Sequence, residues 1–130
     1  MSNVFISYAS ADRQNVERFV EALHAANIVG WLDATDIAAG ANISSAIRDA
    51  IRKSSAVIVF LSDNSLRNQW VQFEIGAAEA LGKTIIPVLV AGSDLGQLPD
   101  ILSGRIVIDA RNRAPATVVN EIRRAIEQSQ

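Results

Sequence analysis

Apolar residues along this 130-residue chain follow two alternating patterns: short near-continuous runs, and longer stripes at helical spacing. The runs are 3–8 (NVFISY), 28–33 (IVGWLD), 55–62 (SAVIVFLS), 84–90 (TIIPVLV) and 105–109 (RIVID). Their length and β-branched or aromatic content predict five strands. The third and fourth are so apolar that they read as covered on both faces. Pro87 lacks an N–H and predicts a strand end, bulge or edge. Between the runs, Val16, Phe19, Val20 and Leu23 form a helical stripe with Ser10 or Asp12 as its cap. Ile43, Ile47, Ala50 and Ile51 form a second, capped by Asn42 or Ser44 and ending at Arg52-Lys53, where basic charge suits the helix dipole. Val118, Val119, Ile122 and Ile126 form the last, with Pro115 in its first turn. Residues 63–65 (DNS) read as a polar loop, and 91–104 as too broken for a helix.

The stretch 69–81 departs from this regularity. On a helix of about 100° per residue, Trp70, Phe73, Ala77, Ala78 and Leu81 form one apolar arc, widened by Val71 and Ile75. Gln72 and Glu79 fall opposite, and Gly82 closes the helix. Glu74 projects from near the middle of the apolar arc. A carboxylate aimed inward loses hydration unless it is paired, hydrogen-bonded or protonated. Such violations concentrate at functional sites. The structural alternative is a glutamate reaching past Ala77 and Ala78 to an arginine or a helix N-terminus.

Composition narrows the chemistry. A hydrophobic fraction of 49% over residues 1–130 supports one well-filled domain, with room for it to be the N-terminal part of a longer protein. The chain has no cysteine and a single histidine, His24, so disulfides, a thiolate metal site and a His-based triad are not expected. His24 suits the dipole at the end of the first helix. Net charge is −2 with the cations scattered, which offers no footprint for nucleic acid. No apolar run approaches the ~18 residues of a membrane span, and Met1-Ser2-Asn3 leads straight into a strand without an export signal. The expectation is a cytoplasmic protein with no membrane partner.

Alternating strands and helices predict an α/β domain: a flavodoxin-like five-stranded parallel sheet, order 2-1-3-4-5, with helices on both faces. Ligands of such folds bind beyond the carboxyl ends of the strands, where the order reverses between the first and third. The loops there are 8–12 and 62–68, and the second feeds the helix carrying Glu74. A phosphate-binding loop is excluded, because Gly82-Lys83-Thr84 runs from helix into strand and position 77 is Ala. A dinucleotide fingerprint is excluded by the absence of glycine in 8–13. Against a phospho-receiver, which would use Asp63, stand Ser7-Tyr8 in place of acidic metal ligands and Ala110-Arg111 in place of a lysine.

Four segments, in order and at these spacings, resemble the TIR (Toll/interleukin-1 receptor) domain family over nearly the whole chain. They are FISYASAD (5–12), GWLDATDIAAG (30–40), SAVIVFLSDNSLRNQWVQFE (55–74) and TIIPVL (84–89). The W-x-x-x-E ending of the third is similar to that of members, bacterial ones above all, that cleave NAD. The resemblance implies one of two functions. The leading one is an NAD+ nucleosidase or cyclase, switched on by self-assembly in bacterial defence signalling and giving nicotinamide and ADP-ribose, linear or cyclic. The other is a non-catalytic adaptor or virulence mimic acting through TIR–TIR contacts.

The resemblance assigns the catalytic carboxylate to Glu74. It places Tyr8, Ala9, Ser10, Asp33, Asp36, Gly40 and Trp70 at the substrate, and Asp36, Ile37 and Gly40 in a loop that gates the pocket and mediates assembly. Trp70 fits a core role equally well, and Asp33 a loop cap. NAD+ is implied as substrate rather than cofactor, with no metal, and a second TIR domain as partner. Two positions depart from active relatives: Ala9 stands where some carry a basic residue, and Asn42 where some carry an aromatic.

Overall fold

The computed structural model describes residues 2–32, 43–92, 102 and 104–128. Five parallel strands form one sheet: β1 (Ser2–Ser7), β2 (Ile28–Leu32), β3 (Ala56–Leu61), β4 (Thr84–Leu89) and β5 (Ile108–Asp109). Their order is β2-β1-β3-β4-β5, as the alternation of patterns predicts. The helices are α1 (Arg13–Ala25), α2 (Ile43–Lys53), α3 (Asp63–Leu66), α4 (Gln69–Ala80) and α5 (Pro115–Gln128). A 3-10 turn, Ser10–Asp12, joins β1 to α1.

Strand alternation divides the core into two layers. Val4, Ile6, Ile58, Phe60, Ile86 and Val88 pack with α1 and α5, whose predicted stripes are all buried there. The Phe19 and Phe60 rings meet at 5.7 Å in that layer. Phe5, Val57, Val59, Leu61, Ile85 and Leu89 face the other way, against α2 and α4. β3 is buried along its whole length, which accounts for its continuous apolar run. Gly30 on β2 has a packing reason: a Cβ there would lie 2.2 Å from Ile6 Cδ1.

Several local expectations are corrected. Residues 63–66 form α3 rather than a polar loop, because Ser62 builds a capping box. Its Oγ accepts from the N–H groups of Asn64 and Ser65, and its own N–H donates to Ser65 Oγ at 2.8 Å. Asp12 stands at the start of α1 but makes no side-chain cap there; its carboxylate turns to β3 instead. α2 begins at Ile43, so Ser44 lies inside it, and Asn42 falls outside the described residues. β5 keeps only two of the five expected residues. Arg105 is drawn to Glu79 of α4 at 2.6 Å, Ile106 is 91% exposed, and a cavity of about 700 Å³ separates 105–108 from Thr84–Pro87.

Because β5 pairs only with Val88 and Leu89, Pro87 lies where β4 runs as an edge, in line with its missing N–H. On α4 the most buried line is Val71, Glu74, Ile75 and Ala78, while Trp70, Phe73, Ala77 and Leu81 are half-buried. The helix is therefore rotated from the expected arc, with its β-branched residues on the sheet and its aromatics at the rim. Glu74 stays on the buried line.

Candidate functional site

The order of the sheet reverses at β1, whose carboxyl end carries Ser7, Tyr8 and Ala9. Ser7 has the same parity as Phe5, so its side chain enters the layer under α4. There its Oγ donates to Glu74 Oε1 at 2.7 Å, and both residues are 0% exposed. The second carboxylate oxygen, Oε2, is shielded from solvent as well. Asn68 caps α4, its Oδ1 accepting from the N–H groups of Trp70 at 2.8 Å and Val71 at 3.1 Å, and the packing of Val71, Ile75 and Ala78 on the sheet turns Glu74 inward. A buried carboxyl group held by a hydroxyl donor has its position fixed by a bond that solvent does not compete for.

A second polar cluster closes the same end of the sheet. Asp12, 9% exposed, accepts from Ser62 Oγ through Oδ2 and from Asn64 Nδ2 through Oδ1 at 2.9 Å. It thereby ties the turn after β1 to the start of α3 after β3. Ser7–Glu74 and Asp12–Ser62 together join β1, β3 and α4 at the switch point of the fold.

Tyr8 and Ala9 are buried, with Tyr8 in the layer of α1 and α5, across the sheet from Glu74; Ser10 is exposed. Trp70, one turn before Glu74, packs on the α2–α4 layer and stacks on Phe73 at 5.6 Å between centroids. Asp33, Asp36, Ile37 and Gly40 lie outside the described residues. Ser7, Asp12, Ser62 and Asn64 were not among the site residues read from the sequence, where Asp12 stood only as a candidate helix cap. A serine at an inward-facing strand position was the available signal for Ser7. The others needed the fold, since Asp12 and Ser62 are 50 positions apart.

Shifted titrations occur at the far edge of the sheet. Asp109 at the end of β5 is held down to about 2, first by the Arg111 guanidinium and then by the Arg111 N–H. Glu121 of α5 is lowered chiefly by its bond to Arg113, whose Nη2 lies 2.8 Å from Oε1. Among the described residues no three His, Cys, Asp or Glu side chains are grouped to hold a metal, and no helix is long and apolar enough to cross a membrane.

The profile of the TIR domain family matches residues 4–126. A Cytobacillus dafuensis protein named "Putative cyclic ADP-D-ribose synthase TIR2" is 24% identical over 102 residues, covering 73% of this chain but 27% of its own length. The chain thus spans about a quarter of that relative. Among solved structures, a metazoan TIR-STING receptor from C. gigas in complex with 2',3'-cGAMP superposes with a TM-score of 0.77 at 26% identity. That match covers 95% of this chain and 38% of the receptor. The TIR domain of the Toll-related receptor TRR-2 from Hydra magnipapillata gives a TM-score of 0.72 at 22% identity, covering 99% and 94%.

Proposed function

The chain belongs to the TIR domain family, and from that premise we propose that it cleaves the nicotinamide–ribose bond of NAD+ with Glu74 as its essential carboxylate. The observation that carries this is a fully buried Glu74, fixed by Ser7, beside the point where the strand order reverses. Departure of nicotinamide leaves positive charge on the ribose, as in the oxocarbenium-like states of glycoside hydrolysis. A fixed carboxylate in a low-dielectric setting stabilises that charge as it develops. Water attack on the anomeric carbon then gives ADP-ribose and a proton. Attack by an adenine nitrogen or a hydroxyl of the same molecule gives a cyclic product, the kind for which the Cytobacillus relative is named.

In this proposal Tyr8, Ala9, Ser10, Asp33, Asp36, Gly40 and Trp70 line or back the substrate, and Asp36, Ile37 and Gly40 supply the gating and assembly loop. Self-association completes the site, and the reaction serves cytoplasmic bacterial defence signalling. The test is nicotinamide release from NAD+ by concentrated protein, with wild type compared with Glu74→Ala and Glu74→Gln. Wild type is expected to release nicotinamide, and both variants to lose at least a hundredfold in rate. Equal inertness of assembled wild type and both variants overturns the enzymatic reading.

One observation favours the second reading, a non-catalytic TIR–TIR adaptor. Glu74 is enclosed at 0% exposure, and its second carboxylate oxygen is shielded from solvent as well. On that reading Ile37→Asp and Gly40→Arg abolish partner binding, while Glu74→Ala leaves it intact.

A further inference from the structure

We propose that Ser7 is a positioning residue for the reaction, holding the Glu74 carboxylate at the carboxyl end of β1 through its hydroxyl; this rests on the NAD-cleaving function proposed above. The alternation of β1 leads from Phe5, packed under α2 and α4, to position 7, where the same layer asks for another apolar side chain. The chain places serine there and glutamate opposite on α4, both at 0% exposure and 2.7 Å apart. Two apolar residues would fill that space without desolvating a carboxylate, so the pair has no packing rationale. Position 7 ends the strand from which the sheet order reverses, where the reacting sugar would be met.

The bond has two consequences for chemistry. It selects one orientation of a side chain with three rotatable bonds, so the carboxylate is held beside the end of β1 rather than averaged among rotamers. It also favours the ionised form of Glu74 over the protonated form, and only the ionised form stabilises a sugar cation. The elements packed around α4 bring few other titratable groups. β3 and β4 contribute none, and β1 is followed by the buried Tyr8. α3 bears the exposed Asp63, and α2 contributes Arg48 at the groove lined by Gln72 and Phe73, together with the exposed Asp49, Arg52 and Lys53.

The experiment is steady-state kinetics of nicotinamide release across pH for wild type, Ser7→Ala, Ser7→Thr and Glu74→Gln, each first shown folded by its thermal transition. Ser7→Ala is expected to lower kcat about ten- to a hundredfold with KM within about twofold. Its acidic limb is expected to move to higher pH, because the ionised carboxylate has lost a donor. Ser7→Thr, which keeps the hydroxyl and suits a strand, is expected to restore most of kcat and the original limb. Should Ser7→Ala not fold, Ser7→Cys supplies the comparison with a similar volume and a weaker donor.

If wild type is active and Glu74→Gln is not, but the Ser7 variant keeps its kcat and pH profile, the role of Ser7 is overturned while the function stands. The role is also overturned if kcat falls and threonine does not rescue it. If wild type and Glu74→Gln are equally inert, the function itself fails, and the positioning role with it.

Discussion

Glu74 and Asp12 are two acids at one end of the sheet with different consequences when removed. Asp12 accepts from Ser62, the cap of α3, and from Asn64 in its first turn. Asp12→Ala is expected to cost about 1–3 kcal/mol, because it leaves the buried Ser62 hydroxyl without its acceptor. Asp12→Asn, which keeps one acceptor, is expected to cost less, and urea unfolding of both variants measures the difference. Glu74 was legible in the sequence because it breaks an apolar arc. Ser7 gave only the weak signal of a polar side chain at an inward-facing strand position, and its partner is 67 positions away.

At the level of elements, the cap of α4 defines where the helix starts. Asn68 accepts from two N–H groups of the first turn and fixes the residue at which the helix begins. Asn68→Ala is expected to lower stability by about 1 kcal/mol and Asn68→Asp to retain most of it, as read from the midpoint of urea unfolding at constant m. Strand and helix periodicity foretold β1 to β4, α1, α2, α4 and α5 to within a few residues. α3 escaped because its stability comes from a reciprocal serine cap rather than an apolar stripe. β5 was overestimated because RIVID has strand-like composition, while only Ile108 and Asp109 find a partner on β4.

For the whole molecule, acid stability follows from the edge formed by β5 and α5. Asp109, lowered from 3.8 to about 2 by Arg111, and Glu121, lowered by Arg113, bind protons less readily folded than unfolded. Their contribution is therefore present above the ordinary carboxylate range and is lost as pH falls through the lowered values. The free energy of unfolding is expected to decline from about pH 4 toward about pH 2, and Asp109→Asn to flatten part of that slope. Added salt should weaken the effect, since these ion pairs are exposed to solvent.

The sequence by itself determined the α/β class, the parallel sheet and the position of Glu74 on a buried helix line, because periodicity and desolvation are local properties of the chain. The strand order was inferred from it by rules of connection, and the fold agrees. Only the tertiary structure decided what Glu74 meets. The hydroxyl of Ser7, the Asp12–Ser62 clamp and the truncation of β5 depend on which distant segments the sheet brings side by side. A residue type read alone carries no record of that neighbour.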